Sequence, residues 1–170
     1  WGGQRNGGTS FDFTYYYGIV PKDAMEKLAW VTSDMLGFVL NTVDEQTLEG
    51  EKQVVKNEKR QRVDNQPYGH SRGIILKAMY PKGHPYSWSV IGDLEDLQAA
   101  TIDDVKEFYN EFYGPSNTTL VIAGDIDFKE TKQVVERWFG EIKPSMNVTD
   151  DPQPQLVMLE KSKKLYHLDK

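Results

Sequence analysis

The chain has 170 residues, 38% of them hydrophobic and 27% charged, a composition that builds a globular core. Its net charge of −6 argues against a nucleic-acid partner, which selects a basic face, and no apolar run approaches the roughly 20 residues that span a bilayer. There is no cysteine, so disulfides, thiolate zinc sites and cysteine nucleophiles are excluded, although the compartment stays open.

The length suits one domain, or one domain and part of another. Trp1 leads straight into a Gly-rich segment that reads as mid-domain, so the sequence is expected to continue upstream of it. From Thr9 to Val20 the chain alternates like a strand rich in Thr, Tyr and Phe, and Val20–Pro21 ends it. Helical spacing follows over Lys22–Leu40, then over Glu45–Arg62 up to the Asn65–Gln66–Pro67 break, and again over Ser71–Met79. Tyr80–Ile91 reads as a loop. Thr101 and Asp104 form a capping box that opens a helix to about Tyr113, and Gly114–Asn117 is a turn. Thr118–Ala123 reads as a buried strand, and Asp127 with Glu130 caps a helix to Phe139. The polar, proline-rich run Pro144–Pro154 is linker-like, and Leu156–Leu168 is expected to hold two short strands. Helices outnumber strands in the body, and the strands are too separated for a hairpin meander.

The most informative stretch is Leu48–Arg62. Glu51 and Glu58 are seven residues apart, nearly two helical turns, so both project from one face with Leu48 and Val55 on the same stripe. The pattern predicts an inward-facing pair, and a buried carboxylate needs a cation, a hydrogen bond or a metal. Two uses stay open at this point: ion pairing along the helix, or a metal or acid–base role. The basic residues Lys52, Lys56, Lys59, Arg60 and Arg62 interleave with these acids and read as a solvated helix face. His70, His84 and His167 lack the three- or four-residue spacing of a helical metal pair and read as structural or solvated. No nucleophile elbow, phosphate loop or dinucleotide fingerprint is present. Asn6–Ser10 reads either as a turn into a strand or as an exposed edge that accepts an extended peptide.

Several segments together resemble the pitrilysin/insulinase family of zinc peptidases, its bacterial members most of all. Asn6-Gly7-Gly8-Thr9-Ser10-Phe11-Asp12-Phe13-Thr14-Tyr15-Tyr16 is similar to the family's N-[AG]-x-T-S-x-D-x-T-x-Y strand. The helix from Glu51 to Arg62 resembles its downstream acidic helix, with Pro67-Tyr68-Gly69 following. Tyr80-Pro81-Lys82-Gly83-His84-Pro85-Tyr86, Val90-Ile91-Gly92 and Leu120-Val121-Ile122-Ala123-Gly124-Asp125 then match in the same order. The likeness covers residues 1 to about 143, and 150–170 resembles the passage into the family's next domain.

The resemblance implies an α+β fold, a mostly antiparallel sheet with helices on one side, truncated at the N-terminus. Residues 1–145 would be the C-terminal part of the catalytic domain, 146–154 a linker and 155–170 the start of the following domain. The family holds Zn2+ with two histidines of an H-x-x-E-H helix and a downstream glutamate, and the motif's own glutamate is the general base. By that comparison Glu58 is the third zinc ligand and Glu51 a supporting acid that orients the ligands. Asn6, Gly7, Gly8, Thr9 and Ser10 would hold substrate beside the cleft. No H-x-x-E-H occurs in the chain, so the motif is expected upstream of Trp1. The parent protein is then a zinc endopeptidase acting on peptides or unfolded polypeptides, while this chain alone is expected to be inactive, without tightly bound Zn2+ and prone to self-association. Its implied partners are the missing upstream segment, a second half-molecule and the substrate. The alternative is a non-catalytic family member serving as a structural or peptide-binding subunit. Analogy with bacterial members points to the periplasm or cell envelope.

Overall fold

The Gly-rich opening is itself a strand. β1 (Gln4–Thr9) pairs with β2 (Thr14–Ile19) in a two-stranded sheet, joined by a tight turn in which Ser10 N–H donates to Phe13 O at 2.8 Å. The expected single strand over Thr9–Val20 is therefore a hairpin arm and its turn. Alternation could not reveal this, because glycines hide a strand's pattern. Here glycine is what the pairing needs: a Cβ at Gly7 would lie 2.9 Å from Tyr16 Cδ1, and one at Gly8 would lie 2.7 Å from the Tyr15 hydroxyl. The tyrosine rings of β2 lie over the bare backbone of β1.

The computed structural model describes residues 2–145, 158 and 161–168. The chain divides into two units: Trp1–Gly8, Thr14–Asp44 and Thr101–Asp150 form one, and Thr9–Phe13, Glu45–Ala100 and Asp151–Lys170 form the other.

In the first unit the hairpin packs against helices. A short 3-10 turn (Lys22–Ala24) leads into α1 (Met25–Gly37), which buries Ala29, Ser33 and Leu36 at helical spacing. Leu28 of α1 closes over Gly18 of β2, where an added Cβ would come within 2.5 Å of its Cδ1. α5 (Ile102–Phe112) opens with the expected capping box: Asp104 N–H donates to Thr101 Oγ1 at 3.2 Å, and Thr101 N–H donates to Asp104 Oδ2 at 2.8 Å. Tyr113, just past α5, shares a 2.7 Å hydroxyl hydrogen bond with Tyr16. Tyr16 and Gly18 point to the same face of β2 by strand alternation, so α1 and the end of α5 cover one side of the hairpin. α6 (Phe128–Phe139) is capped by Asp127, whose Oδ1 accepts from Glu130 N–H at 2.9 Å, and lies along α1. Trp30 and Trp138 meet with ring centroids 6.5 Å apart, and Glu26 of α1 accepts from Trp138 Nε1 at 3.2 Å and from Arg137.

Thr118–Ala123 does not form the buried strand its composition suggests. The run has no sheet neighbour among the described residues, and Val121 is 79% exposed. β-branched residues fit a pleated surface, but they do not supply the partner strand that pairing requires.

The second unit is helical. It holds α2 (Glu45–Lys59), the π-helical turn Arg60–Asp64, α3 (Ser71–Met79) and the short α4 (Leu94–Ala99), a stretch to which the sequence reading assigned no element. Between α3 and α4 a 3-10 turn (Pro85–Ser87) starts at His84, whose Nδ1 accepts from Tyr86 N–H at 3.0 Å. Residues 161–168 contain no strand; the expected linker 146–154 and the remainder of 156–168 other than Met158 lie outside the described residues. No helix among the described residues is long and apolar enough to cross a membrane.

Two outcomes follow from the first unit. Thr101→Ala removes the α5 cap and lowers stability by about 1 kcal/mol, read as a shift in the urea midpoint at unchanged slope. Burial, then the nearby Tyr16 and Asp34 charges, push the Tyr109 phenol up to about 12, while its hydroxyl donates to Met35 O. A value raised on folding adds stability below the ordinary 10.0 and loses it as pH climbs through about 12. Ultraviolet titration should therefore show late tyrosines that ionise with alkaline unfolding, Tyr109 and Tyr113 among them, and Tyr109→Phe should remove one of these components.

Candidate functional site

Sequence reasoning centres on α2, and local physics favours that helix. Glu45 lies in its first turn and Lys56 and Lys59 in its last, matching the helix dipole at both ends. The inward side is not the acidic one. Lys52 is the buried charged residue of α2, at 8% exposure; its Nζ donates to Gln98 O at 3.2 Å and lies 4.0 Å from Glu49 Oε2. Lys56 Nζ donates to Gln98 Oε1. Lys59 Nζ donates to Gly92 O and sits 3.6 Å from Asp93 Oδ1. The basic residues read as a solvated face are thus, at Lys52 and Lys59, the packed face.

Glu51 is exposed, and Glu58 is half-buried with its Oε1 2.8 Å from Arg62 Nη1. The expected inward pair is overturned in this respect. Leu48 and Val55 lie between the two flanks of the helix, Glu51/Glu58 on one side and Lys52/Lys59 on the other. Two apolar residues fix the buried direction only to within about 100°. The distinguishing signal was the lysine spacing, i, i+4 and i+7 at 52, 56 and 59, which gathers three long stems on one flank.

The histidines lie elsewhere. His70 Nε2 is 3.6 Å from Asp64 Oδ1, and its ring lies 6.0 Å from that of His167. His84 joins an aromatic cluster with Tyr80 (4.7 Å) and Tyr86 (5.3 Å), and the tilted ring of Phe11 meets Tyr86 at 4.7 Å. The Tyr86 hydroxyl donates to Asp12, which raises its pKa above the ordinary value. Among the described residues no group of three or more His, Asp or Glu is gathered to hold a metal ion. A cavity of about 470 Å³ is lined by Ile74, Ile75, Ala78, Met79, Leu165 and His167 among others, and includes neither glutamate.

Of the Asn6–Ser10 segment, Gly8 is half-buried and the other four residues are exposed. In the hairpin register the outward backbone groups of β1 fall at Arg5, Gly7 and Thr9. Gly7 N–H donates to its neighbour's Asn6 Oδ1 at 2.8 Å.

The Glu58–Arg62 pair is an i,i+4 contact whose arginine is 75% exposed, so as a structural bond it is weak. Glu58→Gln should cost no more than about 0.5 kcal/mol, measured by urea unfolding of the chain. A larger loss would make Glu58 a structural residue.

A family model described as the peptidase M16 inactive domain matches residues 99–168. The chain is 32% identical to the zinc protease PqqE of Helicobacter pylori over 142 residues, 84% of this chain and 31% of that protein. It is 30% identical to the uncharacterized zinc protease YmxG of Bacillus subtilis over 154 residues, 91% of this chain and 36% of that one. A crystal structure of a protease from Helicobacter pylori superposes with a TM-score of 0.78 at 29% identity, covering 92% of this chain and 36% of that chain. The chain thus spans about a third of the length of the relatives it matches. On sequence and fold together, it belongs to the pitrilysin/insulinase family, the M16 peptidases.

Proposed function

We propose that the protein to which this chain belongs is a zinc endopeptidase, and that Glu58 gives the zinc one of its ligands. The supporting observation is the likeness to relatives named zinc proteases over most of the chain, with Glu58 on the flank of α2 that packing leaves open. A catalytic zinc takes three protein ligands and a water. The donors offered here are carboxylate oxygens from one helix, which suit a share of such a site and not the whole. The two histidines and the general base would come from an H-x-x-E-H segment outside these residues, as the family resemblance implies.

Bound there, zinc would polarise the scissile carbonyl and activate water for its hydrolysis. Glu58 can turn to a metal at small cost, because its Arg62 partner is free to return to solvent. Glu51, two turns earlier on the same flank, would hydrogen-bond and orient the ligands. An extended peptide would add to the outer edge of β1 at Asn6–Ser10, with main-chain hydrogen bonds at alternate residues. For that, the Asn6 carboxamide must turn away from Gly7 N–H. A second half-molecule would close the chamber.

One observation favours a second reading, a non-catalytic peptide-binding subunit: the family model matching residues 99–168 is that of the inactive domain. Zinc analysis of the whole protein separates the two. Glu58→Gln should abolish stoichiometric zinc and peptidase activity, and Glu51→Gln should weaken zinc about 10- to 100-fold. A wild-type protein without zinc would support the subunit reading, and full zinc retained by Glu58→Gln would sink the ligand assignment.

A further inference from the structure

We infer that Lys52, Lys56 and Lys59 form a latch on α4 that sets the rotation of α2 about its own axis, making them positioning residues for the Glu51/Glu58 flank. The inference rests on reading Glu58 as a zinc ligand. All three ammonium groups bond to one short helix and span its length. Lys52 and Lys56 engage Gln98 near its C-terminal end, and Lys59 engages Gly92 and Asp93 at its N-terminal end. Gln98 O is one of the carbonyls a helix end leaves unpaired, and a cation there also complements the dipole. α4 has six residues, too few to be stable alone, so the lysines order it while it orients them.

Each glutamate immediately precedes a latch residue: Glu51 before Lys52, and Glu58 before Lys59. Successive side chains are about 100° apart around the axis, so fixing the lysines inward fixes the carboxylates on the open flank. The required precision is high. A carboxylate roughly 6 Å off the axis moves by about 2 Å when the helix turns by about 20°, whereas metal–ligand distances tolerate about 0.2 Å. Apolar packing through Leu48 and Val55 leaves the rotation loose; three bonded ammonium groups at both ends of α4 do not.

The test uses the whole zinc-containing protein, stripped of metal and titrated with Zn2+ against a competing chelator. Lys52→Met and Lys59→Met keep the aliphatic stem and remove the ammonium. Each should weaken zinc about 10- to 100-fold and lower kcat with little change in KM. Lys59→Arg should restore both, and Lys82→Met, an exposed loop substitution, should change neither. Circular dichroism identifies variants that fold; if Lys52→Met does not, Lys59→Met decides. Wild-type zinc affinity in a folded Lys59→Met protein overturns the latch. If Glu58→Gln also leaves zinc intact, the ligand assignment has failed; if Glu58→Gln loses zinc, only the latch has.

Discussion

Removing the Lys52 ammonium from water is unfavourable unless its donors are met, and the organisation of the second unit follows from how they are met. The group reaches the backbone oxygen of Gln98 and lies at the margin of ion-pair distance from Glu49. Those partners exist only if α4 is present and antiparallel to α2, with Lys59 at one end and Lys52 at the other. A six-residue helix and a fifteen-residue helix are thus held in one register by side chains that elsewhere would be solvated. Replacing such a group by an apolar residue of similar size can be neutral for stability, whereas deleting one partner is not. The lysines are better understood as a source of geometry than of folding energy.

The first unit is organised differently. Its helices meet the hairpin through close approach: bare glycine backbone under tyrosine rings, Leu28 over Gly18, and paired tryptophans between α1 and α6. Where α1 meets α6, Glu26 accepts from both Trp138 and Arg137. Hydroxyls of Tyr16 and Tyr113 bond each other, and burial with that bond holds the Tyr113 phenol well above its ordinary range.

What could be read in the sequence was what local chemistry dictates. The Thr101/Asp104 cap, the α3 boundaries and the break at Asn65–Gln66–Pro67 depend on neighbouring residues, and each appears where expected. The end of α2 differs in kind, since its last turn widens into a π-helix, and no propensity distinguishes that from an α-turn. Features that depend on distant partners were not legible. β1 needed the tyrosines of β2, α4 needed the lysines of α2, and Thr118–Ala123 has a strand's composition without a partner strand among the described residues. For the candidate site, spacing correctly put Glu51 and Glu58 on one flank, but which flank is buried was decided by Gln98 and Asp93, some forty residues away.

The interleaving of the two units along the chain bears on the order of assembly during synthesis. Most of the second unit is the continuous stretch Glu45–Ala100, so its helices can associate soon after they emerge. The first unit closes only when α6 meets α1, a contact between residues 111 positions apart at Glu26 and Arg137. Until then α1 lacks the cover that α6 supplies, and loop closure over that separation is slow relative to local helix formation. Within these residues α2 therefore gains its α4 contacts before α1 gains those of α6, and chaperone engagement during translation should favour α1 over α2.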